Sequence, residues 1–147
     1  VSDRARFGID VELAWAAGFF DGEGNVGCYK HSSYKQKTYL RLVAQIAQVD
    51  REVLDRFALA VGGGVTGPYP HKGRVNPYWR WHQEGTDEIQ KIFDLLHPYL
   101  SSIKVAQFSK AIEKMGEYKA GAHGRHVAAG VKAASVHWSA AKMEVAV

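Results

Sequence analysis

With 147 residues, 46% of them hydrophobic, the chain has the length and apolar content for one compact domain. No apolar run nears the ~20 residues that cross a bilayer, no basic-then-apolar leader opens the chain, and the one cysteine, Cys28, excludes an intramolecular disulfide and a cysteine zinc site. The expected setting is intracellular (cytoplasm, nucleoid or organelle matrix), neither secreted nor membrane-bound, and the net charge of +4 is a slight pull toward an anionic partner.

Asp10 stands where it can cap a first helix, with Glu12 favourable in the first turn. Leu13, Ala16, Ala17 and Phe20 then recur at helical spacing, and Gly22 and Gly24 predict an end near Asp21. Residues 25–30 alternate, with Val26 and Cys28 on the apolar side. After the polar loop HSSYKQK, residues 39–46 alternate again. Leu40, Leu42, Ala44 and Ile46 form one face; Tyr39, Arg41, Val43 and Gln45 form the other. This is a hairpin with a buried and a wet side. Asp50 caps a second predicted helix with the stripe Leu54, Phe57, Ala58, Val61, stopped by three glycines. A second hairpin follows over 65–69 and 78–83. Its last strand sets Trp79 and Trp81 against Tyr78, Arg80 and His82. A third helix starts after Thr86, with Ile89, Ile92, Phe93 and Leu96 inward, and ends at His97-Pro98. A fourth spans 102–115 and buries Val105, Phe108, Ile112 and Met115. The single domain, 1–147, thus divides into a core over about 10–116, a linker over 116–124 and an alanine-rich C-terminal helix over about 125–145. The order helix, hairpin, helix, hairpin, helices is α+β with an antiparallel sheet.

The charges are not mixed along the chain. No acid lies between Glu23 and Asp50, where Lys30, Lys35, Lys37 and Arg41 fall. None lies between Asp55 and Glu84, where Arg56, Lys72, Arg74 and Arg80 fall. Both windows coincide with the hairpins, which predicts one shared positive face. Asn25, Tyr29, His31, Tyr39, Arg41, Gln45, Tyr78, Arg80 and His82 fall on it, with Lys35, Lys37, Lys72 and Arg74 in the adjoining loops. An ordinary solvated sheet face would carry Asp and Glu as well. These residue types instead suit base edges and phosphates, and a two-stranded ribbon fits a major groove. Trp79 and Trp81 could be stacking platforms for a single strand; their alternation with Arg80 favours the core.

The stretch AAGFFDGEG closes the first helix. Ala14, Ala17, Gly18 and Asp21 share one flank, small enough for a second helix to approach closely. Asp21 and Glu23 arrive at the edge of the basic face. A carboxylate there repels phosphate, but it can hold a divalent cation between protein and phosphate. Two solvated acids at a helix end are the plain alternative.

AAGFFDGEG resembles the signature of the LAGLIDADG homing endonucleases, matching at Ala17, Gly18, Asp21 and Gly24, with conservative changes at Phe19, Phe20 and Glu23 and a departure at Ala16. It heads the same αββαββα order, so the resemblance covers residues 10 to about 115 and implies a concave antiparallel sheet for DNA. It further implies that Glu23 binds catalytic Mg²⁺ (with Mn²⁺ or another divalent ion as substitute), with the Gly22 carbonyl beside it, and that Asp21 is structural. By the same resemblance Gln48 stands near the hydrolytic water and Gln45 among base-reading positions. Lys104 matches an active-site lysine across a one-residue gap, and Arg51 a basic residue just past Gln48. One copy of the motif implies a homodimer, joined through the Ala14, Ala17, Gly18, Asp21 flank, that cuts a long, near-palindromic duplex and so promotes intron or intein mobility. The rivals on the same fold are an RNA-binding intron maturase and a non-catalytic DNA-binding regulator.

Overall fold

The computed structural model describes residues 3–35 and 37–122. The chain divides into two compact units, Val1–Met115 and Gly116–Val147. In the first unit, helix α1 (Asp3–Glu23) leads into strands β1 (Asn25–Ser32) and β2 (Thr38–Gln48). Helix α2 (Arg51–Val61) is followed by β3 (Gly64–Tyr69), β4 (Tyr78–Glu84) and helix α3 (Thr86–Leu96), and a 3₁₀ turn (His97–Tyr99) leads to helix α4. Helix α4 covers 102–122, and its residues 116–122 are the described part of the second unit.

The four strands form one antiparallel sheet in the order β1-β2-β4-β3. Alternation sorts their side chains cleanly. Val26, Leu42, Ala44, Ile46 and Trp81 turn inward and are buried. The helices lie on this side: α1 packs on α2 and α3, and α2 on β3 and β4. Phe20 is fully buried between Phe57 (6.2 Å between ring centroids) and Phe108 (5.2 Å), and Phe57 meets Trp81 edge-on at 4.7 Å. Each such aromatic contributes roughly 1.5–3 kcal/mol through burial. The Trp81 indole N–H donates to the Gly62 carbonyl at 2.8 Å, so its polar end is satisfied. Trp81 is therefore core, and Trp79 carries the Arg51 guanidinium over its ring at 4.6 Å.

Local signals set most boundaries. The Asp50 carboxylate accepts from the Glu52 N–H at 2.9 Å and caps α2. Gly62 ends the helix at φ +84°, its N–H donating to the Ala58 carbonyl at 2.7 Å, and at Gly63 (φ +91°) a Cβ would stand 2.5 Å from the Trp81 ring nitrogen. Three expectations need correction. Helix α1 begins at Asp3, so Asp10 lies inside it; Arg4, Ala5 and Arg6 are good helix formers that carry the turn backward. It also runs through Gly22 to Glu23, since one glycine costs only about 1 kcal/mol in a helix; the Gly24 N–H closes the last turn on the Phe20 carbonyl at 2.8 Å. Residues 116–122, read as linker from their glycines, are helical. The predicted helix over 125–145 lies outside the described residues. No helix among the described residues is long and apolar enough to cross a membrane.

Candidate active site and nucleic-acid interface

The end of α1 is held from two sides. The Asp21 carboxylate accepts the Ser101 N–H through both oxygens, each at 3.1 Å, at the entrance to α4. The Ser101 hydroxyl in turn accepts the Lys104 N–H at 3.3 Å. One turn into α4, the Lys104 ammonium reaches back to the Gly24 carbonyl at 2.5 Å, with Gln107 Oε1 at 3.2 Å and the Phe20 ring below it. Gly24 admits no side chain, because a Cβ would sit 2.4 Å from the Phe20 ring. Gly24 is buried, and Glu23 before it is exposed at the helix end.

Glu23 opens onto a cleft of about 590 Å³. Gln48, at the end of β2, lines the same cleft, as do Lys72, Arg74, Tyr78 and Arg80. Lys104 does not line the cleft; its ammonium sits on the Gly24 carbonyl, one residue past Glu23. His71 and Asn76 also line it, and sequence reading passed over both. Their signal was their place beside Lys72 and Arg74 in the same loop.

Register assembles the outer face of the sheet. Asn25 pairs with Gln45, Tyr29 with Arg41, His31 with Tyr39, Gln45 with His82 and Ala47 with Arg80. The Arg80 guanidinium lies over the neighbouring Tyr69 and Tyr78 rings, at 5.4 and 5.8 Å. Lys35 and Lys37 are exposed at the tip of the first hairpin, away from the cleft. One expectation fails here. The charge windows predict a face free of acids, but β4 extends one residue beyond the predicted strand and adds Glu84, whose carboxylate pairs with Arg41. Continued alternation after Tyr78, Arg80 and His82 was the available clue.

The predicted dimer flank divides in two. Ala14 and Gly18 are exposed, and a Cβ on Gly18 would meet nothing within 4 Å. Ala17 is fully buried by its own chain, and Asp21 is bound to Ser101, so neither is free on that flank. Ala17 lies on the core stripe as well as the flank, and the core claims it.

The LAGLIDADG endonuclease family matches residues 16–115, more than half of the chain. The chain belongs to the LAGLIDADG endonuclease family. Its fold is that of solved homing endonucleases. I-CvuI, in complex with its target in the presence of calcium, is 23% identical over 77% of this chain and 71% of that one, with a TM-score of 0.63. I-TnaI is 20% identical over 76% of both chains, at 0.59. The group I intron-encoded I-CeuI, complexed with DNA, is 18% identical over 78% of this chain and 58% of that one, also at 0.59. No curated protein matches significantly. As a member of this family the LAGLIDADG protein is a DNA endonuclease, and neither the maturase nor the regulator reading is favoured.

Proposed function

We propose that two copies of this LAGLIDADG endonuclease pair along the open flank of α1 and cut both strands of a long, near-palindromic duplex with Mg²⁺, so promoting mobility of an intron or intein. One observation carries the reading: Glu23 ends the motif helix inside a basic cleft that also holds Gln48, with Lys104 anchored to the next carbonyl.

The donor set fits a shared metal rather than a private one. Among the described residues no three His, Cys, Asp or Glu side chains converge. One chain offers the Glu23 carboxylate and the Gly22 carbonyl, which lies in the final helical turn where carbonyls lack intrahelical partners. The remaining ligands then come from phosphate oxygens, water and the second copy. A divalent cation bound there supplies charge neutralisation and an activated water. Gln48 orders water in the cleft. Lys104 adds positive charge beside the developing phosphorane and fixes the turn that aims Glu23. Lys72, Arg74 and Arg80 hold the backbone, while Asn25, Tyr29, Arg41, Gln45 and His82 read bases in the flanking major groove.

Selected cleavage from a pool of randomised duplexes tests this directly. Purified protein with Mg²⁺ should yield double-strand breaks at one related family of near-palindromic sequences, and a chelator should abolish them. Protein that cuts nothing in Mg²⁺ or Mn²⁺ removes the proposal.

A further inference from the structure

We infer that Glu84 is a specificity residue, which together with Arg41 forms a paired reader for a single G·C base pair in each half-site. The inference rests on the proposed DNA-cleaving function and goes beyond it in assigning a role to an acid. Glu84 is the only carboxylate in the four strands. It stands opposite Val43, and Val43 and Arg41 project from the same face of β2, so the two charged side chains meet diagonally across the strands. Their side chains are 33% and 35% exposed, so each is about two-thirds covered yet open on its outer side. Beside them a shallow hollow of about 160 Å³ is lined by Gln45, His82 and Arg80, all on the same face.

An acid here is costly for general affinity, since it repels phosphate and cancels a cation. An exposed ion pair gives little stability in return. Its chemistry does match one base pair. The pair engages only Arg41 Nη2 and Glu84 Oε2, so among the described residues the other guanidinium donors and the second carboxylate oxygen stay uncommitted. Guanine presents two acceptors, N7 and O6, in the major groove, and its partner cytosine presents an amino donor. Two donors beside one acceptor complement that edge. An A·T pair sets its amino group against the guanidinium and the thymine O4 against the carboxylate, so both contacts become repulsive. Glu84 also holds Arg41 in one orientation, which lowers the ordering cost of the contact.

The test is selection of bound sequences from randomised duplexes without metal, which separates recognition from cleavage. Full-length wild type is compared with Glu84→Ala, Glu84→Gln, Arg41→Ala and the double variant Arg41→Ala/Glu84→Ala, with a thermal melt for each. Wild type should enrich G·C at one position per half-site. Both Glu84 variants should accept A·T there roughly tenfold better, with other positions unchanged. Arg41→Ala should lose preference at the same position, and the double variant should be no worse. Glu84 variants that keep the wild-type profile overturn the inference, whether their affinity rises evenly for all sequences or their melting temperature alone falls. A wild type that enriches no sequence overturns it too, and takes the DNA-reading proposal with it.

Discussion

Glu23 and Asp21 are two residues apart, yet their surroundings separate their roles. Asp21 spends both oxygens on the Ser101 N–H, whereas Glu23 has no partner within the described residues and faces the cleft. Glu23→Gln should leave folding and metal-free DNA affinity intact or slightly better, because a neutral amide no longer repels phosphate. Single-turnover cleavage in saturating Mg²⁺ should drop by orders of magnitude. Asp21→Asn should do the reverse, lowering stability by roughly 1 kcal/mol through a weakened charged hydrogen bond while the folded fraction still cleaves. Lys104→Met keeps the aliphatic stem over Phe20 and removes the charge. Its cleavage rate should fall about a hundredfold, measured under the same single-turnover conditions; an unchanged rate would confine Lys104 to a structural part.

At the level of elements, the turn from α1 into β1 packs Gly24 directly against the core. Gly24→Ala drives a methyl into the Phe20 ring, which Phe57 and Phe108 hold in place. A loss of about 1–3 kcal/mol is expected, read as a lower denaturant midpoint at unchanged slope. Helices α1 and α2 are also tied by Arg56, which bonds Glu12 through two nitrogens at 2.8 and 3.1 Å and lies 3.8 Å over the Trp15 ring. That hydrogen bond holds the Glu12 carboxyl below its ordinary value of 4.5. A depressed acid adds stability that is complete above the ordinary value and is lost as pH falls through the lowered one. Acid unfolding of Glu12→Gln should lack that part of the slope. Most elements were legible in the sequence because each amphipathic pattern has one period over its whole length. The α1 start was not, since residues before Asp10 carry no apolar stripe to announce it. The Arg41–Glu84 pair was not either, because it depends on the register of two strands about 40 residues apart, which no local pattern encodes. The joint placement of Glu23 and Gln48 was foreseen only through the family resemblance; composition and spacing alone suggested a metal near a basic face and went no further.

For the molecule as a whole, the proposed pairing turns on the side of α1 where, among the described residues, Ala14 and Gly18 are exposed. Among the described residues a Cβ on Gly18 meets nothing within 4 Å, so for Gly18→Leu monomer folding should change little beyond helix propensity. Any defect must then arise between copies. Sedimentation should show a wild-type dimer on DNA and a weakened one for Gly18→Leu, with double-strand breaks giving way to nicks. A wild type that stays monomeric on its duplex would sink the paired arrangement.

The alternation of the sheet has a further consequence, for how such a protein changes its target over evolutionary time. Along the middle of β2, and at Val26 and Trp81 beside it, inward positions go to the hydrophobic interior while their neighbours stay on the open side, so the two sets mutate nearly independently. Drift at Tyr29, Gln45 or His82 costs the fold little, and a lineage can wander among related sites without crossing unfolded intermediates. The Arg41–Glu84 pair is the exception. Losing Arg41 first strands Glu84 as a lone carboxylate against DNA, so a switch of that letter is expected to begin with Glu84 and to remain the slowest change in the recognition code.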